Sequence, residues 1–224
     1  WVIVGMFVDD GLVLASDKGS FDRFFKDYRK IFTCTGGEEV KKYVGIQVER
    51  HKNGSYKLHQ TEYIEAVHKK FLSLTDRPRS NPVDTGSGGA LKFLKQQGAT
   101  TEKEKADVSG KDYMGLLGCL RYITDMTRPD VGFHVSYLGQ FLSCPTVENY
   151  ESALTVLSYL HKTRHIGLTY DGNHVTPLCQ SDPAMNMDQL QKEFGLHAWS
   201  DASWGTEKNH GGHVIMMCNA AIAW

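Results

Sequence analysis

Trp1-Val2-Ile3-Val4-Gly5-Met6-Phe7-Val8-Asp9-Asp10-Gly11-Leu12-Val13-Leu14-Ala15 opens the chain and sets its fold class. The runs Trp1 to Met6 and Leu12 to Ala15 are strand-like in length and in their Val, Ile and Leu content, so Phe7 to Asp10 falls at the tight turn of a β-hairpin. Two neighbouring carboxylates at one corner repel unless cations or solvent screen them, which makes Asp9 and Asp10 candidate metal ligands. Taken alone, an Asp pair at a hairpin is ordinary turn chemistry. The rest of the chain gives the pair its weight.

Beyond this hairpin, Ser16 and Asp17 can cap a helix with Phe21, Phe24, Phe25, Tyr28, Ile31 and Phe32 at helical spacing, which packs on one face of the sheet. A second hairpin is expected from Tyr43 to Arg50 and Tyr56 to Gln60, closed by Asn53-Gly54 as a type I′ turn. Thr61 is read as the cap of a helix carrying Tyr63, Ile64, Val67 and Phe71, with Lys69 and Lys70 near its C-terminal end. From Asn81 to Gly110 the composition is rich in Gly, Ser, Thr and Lys and reads as a flexible connection with one short ordered piece around Leu91 to Leu94. Three helices come next. They run from Asp112 to Asp125, from Pro129 through Phe141, and from a Thr146 cap through Leu160. Strands are expected at Gly167 to Tyr170, Leu196 to Asp201 and His213 to Trp224, as the start of a second mixed unit.

The whole chain has 224 residues, 41% of them hydrophobic, and no apolar run nears the roughly 20 residues of a membrane span, so no membrane partner is expected. Both ends fall inside strand patterns, and the chain is read as a segment of a longer polypeptide. Five Cys without close pairing suit a reducing compartment, and of the Cys and His near the C-terminus only His210-Gly211-Gly212-His213 has ligand-like spacing, which disfavours zinc. The net charge of -1 argues against a protein that coats nucleic acid. Its distribution is uneven: Lys18 to Lys105 holds 18 Lys and Arg against 11 Asp and Glu, the remainder 7 against 15, which suits either a basic subregion that touches phosphate beside an acidic one that organises metal, or simply solvated helix surfaces.

The ordered motifs resemble the polymerase of copia-type long-terminal-repeat retrotransposons across nearly the whole chain. Phe7-Val8-Asp9-Asp10 is similar to the aromatic-x-Asp-Asp signature of reverse transcriptases, Lys42 to Glu49 to the hairpin that grips the primer, and Leu58 to Ile64 to the entry of the thumb. Thr127-Arg128-Pro129-Asp130, with Tyr113, Gly118 to Tyr122 and Val156 to Thr163 around it, resembles a segment diagnostic of the copia group. Trp199 to Trp204, then Ala220 to Trp224, resemble the opening strands of the appended ribonuclease H domain.

The resemblance implies an α+β architecture: the back of a polymerase palm over residues 1–60, thumb and connection over 61–165, and an incomplete ribonuclease H-like unit over 166–224. It implies RNA-directed DNA polymerase chemistry, with two Mg²⁺ ions about 4 Å apart that activate the primer hydroxyl and stabilise the leaving pyrophosphate. Asp9 would be the direct ligand, Asp10 a lesser one, and Phe7 a support for the turn. Tyr43, Val44, Gly45 and Ile46 would position the primer end, and Lys41, Lys42, Lys69 and Lys70 would contact phosphates of a template-primer duplex. Asp201 would be the first metal carboxylate of a separate ribonuclease H centre. Asp130, in the first turn of a helix, is read instead as a capping residue.

The parent would use deoxynucleotides and work in cytoplasmic virus-like particles; its oligomeric state is left open. The family takes further metal carboxylates from before Trp1 and after Trp224, so this segment alone is expected to be inactive. Asn209, His210 and Gly211, and an apparent insertion from Ser181 to Phe194, depart from the family pattern. The alternative is a degenerate or co-opted remnant that only binds nucleic acid or a protein.

Overall fold

The computed structural model describes residues 1–72, 78–84, 86, 88–171, 195–202 and 211–224. Among these the chain is mixed α and β, with every strand pairing antiparallel. It begins with the hairpin of β1 (Val2–Phe7) and β2 (Asp10–Ala15), whose register pairs Phe7 with Asp10. Helix α1 (Lys18–Ile31) follows. Its cap is Asp17, whose carboxylate accepts from the Ser20 amide and hydroxyl and from the Ser16 hydroxyl, bonds that hold its pKa down to about 2. The helix lies on the hairpin as expected, yet none of its residues is fully buried and Ile31 and Phe32 are exposed.

A four-stranded sheet comes next, in the order β3 (Lys42–Tyr43), β4 (Ile46–Arg50), β5 (Tyr56–His59) and β6 (Leu168–Tyr170). Two expectations are corrected here. The run from Tyr43 to Arg50 is not one strand, because Val44 (φ 47°) and Gly45 (φ 76°) form a two-residue turn with positive φ at both central positions, the type I′ pattern. Asn53-Gly54 does not form that turn. The Gly54 amide bonds the His51 carbonyl and only Gly54 has positive φ, which is a three-residue loop ending in a glycine bulge. Strand β6 pairs with β5, so Leu168–Tyr170 joins this sheet rather than the later strands.

Helix α2 (Thr61–Phe71) starts without a side-chain cap. Thr61 is spent elsewhere, its hydroxyl donating to the Arg164 carbonyl 103 residues away. The stretch expected to be a connection with a single ordered piece holds two short helices, α3 (Gly89–Leu94) and α4 (Glu102–Val108). A capping box starts α4: Thr101 accepts from the Glu104 amide while the Glu104 carboxylate takes the Thr100 and Thr101 amides, which lowers its pKa to about 2.

The core is built by α2, α3 and the helices after them. Asp112 caps α5 (Tyr113–Thr127), which ends where Arg128 precedes Pro129, a residue that disfavours helical geometry in its predecessor. A 3-10 turn at Pro129–Val131 leads into α6 (Gly132–Gly139), and Thr146 with Asn149 forms the capping box of α7 (Val147–Lys162). Ile64, Leu116, Leu120, Ile123, Leu138, Val156, Leu157 and Leu160 are wholly buried together, recurring at three- and four-residue spacing on their helices.

The last sheet is β7 (His197–Ala202), β8 (Gly211–Met217) and β9 (Ala220–Ala223). The expected single run from His213 to Trp224 is a hairpin, broken at Cys218 and Asn219, both at positive φ. This sheet docks on the rest at named points: the Tyr170 hydroxyl donates to the Ala221 carbonyl, the Asp171 amide to Cys218 O, and the Trp224 indole to Thr124 O on α5.

Candidate nucleic-acid and metal site

The two-residue loop joining β1 to β2 is Val8-Asp9, with Asp10 as the first paired residue after it. Val8 has φ 53° and is 83% exposed, while Asp9 keeps negative φ, the φ pattern of a type II′ turn. Glycine is the usual residue there. A β-branched side chain in left-handed backbone costs roughly 1–2 kcal/mol, and no burial of its own offsets that cost. The pairing of β1 with β2 imposes this conformation despite its cost, with Asp9 on the tip and Asp10 at its root, both exposed. Among the described residues neither carboxylate makes a hydrogen bond or ion pair. Two adjacent hard oxygen donors without a protein cation match the way Mg²⁺ binds, through one or two carboxylates plus water and substrate phosphate. No third His, Cys, Asp or Glu joins them among the described residues.

The hairpin stands beside the second sheet. The Tyr43 hydroxyl lies 3.5 Å from the Gly5 carbonyl of β1, at the outer limit of a hydrogen bond. Val44, Gly45 and Ile46 form and leave the type I′ turn, and the Val44 carbonyl accepts from the Tyr122 hydroxyl of α5. Tyr63 packs edge-on against Tyr122, with ring centroids 4.9 Å apart. Burial, with a Cys119 contact second, pushes the Tyr63 phenol well above its ordinary pKa, so it stays protonated.

The four basic residues named from sequence do not form one patch. Lys42 is paired with Glu62 at 2.7 Å, and Lys70 lies 3.5 Å from Asp112 and over the Phe71 ring. Lys41 and Lys69 are exposed and make no ion pair among the described residues. Asp201 sits on β7 opposite Gly212, exposed, its carboxylate accepting only from the Ala202 amide among the described residues. Asn209, His210 and the stretch from Ser181 to Phe194 lie outside the described residues.

Asp130 is not simply a cap. Its carboxylate takes two bonds from the fully buried Arg128 guanidinium, 2.8 Å to Nε and 2.7 Å to Nη2, and a third from the Tyr159 hydroxyl. Burial pushes the Asp130 pKa up, but the Arg128 pair outweighs it and the net direction is down. Arg128 also donates to the Thr163 carbonyl and hydroxyl, which locks the exit of α5 to the end of α7. Sequence reasoning left Tyr122 without a role and missed the strain at Val8. The second had a signal, since a β-branched residue in a two-residue hairpin loop has to take positive φ or break the register.

The site thus combines a polar corner of two carboxylates, a tyrosine-braced turn and a helical core. The chain is 27% identical over 229 aligned residues to a retrovirus-related Pol polyprotein from transposon TNT 1-94 of Nicotiana tabacum, with all of this chain covered. It is 25% identical to a putative transposon Ty5-1 protein of Saccharomyces cerevisiae, again over all of the chain, and 25% identical to a retrovirus-related Pol polyprotein from transposon RE1 of Arabidopsis thaliana over 98% of it. The chain is thus a relative of retrotransposon Pol polyproteins, and the copia-type resemblance extends over its full length. It spans 16% of the tobacco polyprotein, 65% of the yeast protein and 13% of the Arabidopsis one. No family model matches, and no solved structure matches.

Proposed function

We propose that this chain is part of a copia-type reverse transcriptase: the back of its palm, its thumb and connection, and the first strands of a ribonuclease H-like unit. One observation carries the reading above all: two exposed carboxylates with no ion-pair partner among the described residues, on a strained hairpin tip in a chain related end to end to retrotransposon Pol polyproteins. Asp9 and Asp10 would hold Mg²⁺, which supplies Lewis-acid stabilisation of the reacting phosphate oxygens. The protein's part would be to hold those carboxylates on the hairpin that Tyr43 reaches at Gly5, with Tyr43, Val44, Gly45 and Ile46 positioning a primer end by backbone and apolar contact. Lys41 and Lys69 are free to meet duplex phosphates, whereas Lys42 and Lys70 would first give up their acidic partners. Asp201 would serve the second metal centre.

Two carboxylates do not complete a polymerase site, so the purified 224-residue chain should bind but not copy. In a gel-shift titration it should retain an RNA–DNA primer-template at low salt and lose it steeply as salt rises. Mn²⁺ should broaden the amide signals of the Val8-Asp9-Asp10 loop in the wild type and not in Asp9→Asn, and primer extension should be absent. Failure to bind the duplex at low salt, or no Mn²⁺ response at this loop, would overturn the reading. The alternative of a co-opted remnant that only binds nucleic acid or a protein is favoured by the net charge of -1. It predicts salt-sensitive binding without any metal response at Asp9.

A further inference from the structure

We infer that Tyr122 is a positioning residue for the duplex-facing turn: its hydroxyl latches the Val44-Gly45 loop to the helical core and so sets where residues 43–46 stand relative to the Asp9-Asp10 hairpin. The inference rests on the reverse-transcriptase reading for the word duplex, and on geometry for the latch. Tyr122 lies on α5, the most deeply buried helix, whose Leu120 and Ile123 are wholly inside the core, so its ring is carried by rigid backbone. Tyr63 of α2 packs edge-on against the ring and limits its swing. The hydroxyl then reaches out of the helix and donates to the Val44 carbonyl.

Gly45 makes that approach possible in two ways. Its φ of 76° is left-handed, and a Cβ built there would stand 2.6 Å from the Tyr122 oxygen. Any larger residue at 45 would have to displace the Tyr122 hydroxyl and adopt left-handed backbone. On its other side the same turn is followed back to Tyr43, whose hydroxyl reaches Gly5 in β1. On the α2 side the Glu62 amide donates to Gln47 Oε1, and Glu62 pairs with Lys42, so the hairpin is tied to α2 at both flanks of the turn while, among the described residues, Tyr122 holds its tip. Core helix, turn and carboxylate hairpin thus form one line of contacts, with a single hydroxyl at its stiff end. Neither Tyr122 nor Gly45 touches the carboxylates, so the effect passes through the turn.

The test compares Tyr122→Phe with Tyr113→Phe in the whole chain. Tyr113 is a control of matched chemistry, since its buried hydroxyl also donates to a backbone carbonyl, that of Leu138, but far from the turn. Affinity for a fluorescein-labelled RNA–DNA primer-template is read by anisotropy, and amide exchange is read over residues 43–48. Losing one bond that anchors the contact surface should weaken duplex binding roughly fivefold in Tyr122→Phe and speed exchange across 43–48 by a similar factor. Tyr113→Phe should lower thermal stability at least as much and change neither readout. Equal affinity and equal exchange in Tyr122→Phe and the wild type would overturn the latch, as would equal weakening by the two variants. A wild-type chain that binds no duplex sinks the reverse-transcriptase reading and the positioning role with it; duplex binding that ignores Tyr122 sinks the positioning role alone.

Discussion

At the scale of single residues, the motif Thr127-Arg128-Pro129-Asp130 turns out to be a closure of the core. Arg128 is wholly buried, and such a charge is tolerated only when paired and hydrogen-bonded on every side, which Asp130, Thr163 and the face of Tyr159 accomplish. The Asp130 carboxyl is partly open to solvent, so its removal costs less than in a sealed pair. Asp130→Asn should lower unfolding free energy by about 2–3 kcal/mol at about pH 7 in urea titrations, because it leaves the guanidinium without its counter-charge. The pH dependence has a definite sign. Asp130 is held below its ordinary pKa in the fold, so its contribution is complete above the unfolded value near ~4 and disappears as pH falls through the lower folded value. The gap between wild type and Asp130→Asn should therefore narrow on going from about pH 7 to about pH 3; a constant gap would assign the loss to shape and not to charge.

Between elements, what could be read in advance and what could not divide along physical lines. Helices with an apolar stripe and a side-chain cap are legible: Asp17 before α1 and Thr146 before α7 each accept the expected backbone amide, while Asp112, read as the first residue of α5, is its cap. Helix α4 was hidden by composition. Its Thr101 and Glu104 carry a capping-box spacing, but with Val108 its only fully buried residue it shows no apolar period. The turn types were missed because Asn53-Gly54 is a strong local signal for type I′ while loop length, set by the pairing of His51 with Ser55, decides otherwise. The aspartate pair is legible as a turn, and the strain at Val8 is in principle local to its hairpin loop, whereas the Tyr122 brace joins residues 78 apart and lies in no local window. Asn149 illustrates the same limit. It looks like a polar residue in a first helical turn, yet it is fully buried, with its Oδ1 taking the Thr146 amide and hydroxyl and its Nδ2 donating to Gln96, which in turn bonds Ser152. Truncating Thr146 to Ala removes one cap and should cost about 1 kcal/mol. Asn149→Ala also strands buried Gln96 and should cost about 2–3 kcal/mol, a difference that urea midpoints resolve. Equal costs would mean that the link from α7 to Gln96 contributes nothing.

Over the whole molecule, stability is concentrated in the helices while the proposed chemistry lies at the edges. Every member of the main buried cluster falls between Ile64 and Leu160, and α5 alone receives the turn of the second sheet through Tyr122 and the third sheet through Thr124. Among the described residues the carboxylate hairpin and α1 make no hydrogen bond to α5, and the hairpin meets the second sheet through the long Tyr43–Gly5 contact. Ile3, Met6, Phe7 and Leu14 remain more than half exposed, α1 buries no residue fully, and among the described residues β1 pairs with no strand but β2. Apolar area left in contact with water contributes nothing to holding that lobe closed, so local opening there needs far less free energy than unfolding of the core. Native-state hydrogen exchange should then separate two tiers. Amides in α5 and α7 should exchange only at the free energy of global unfolding, whereas those in β1, β2 and α1 should exchange at least about 2 kcal/mol more easily and with little sensitivity to Asp130→Asn, which weakens the core alone. Protection in β1 equal to that in α5 would show that the hairpin is bound into the cooperative unit. In that case the strain at Val8 would be maintained by the core, and the carboxylate corner would be rigid without needing anything further to cover it.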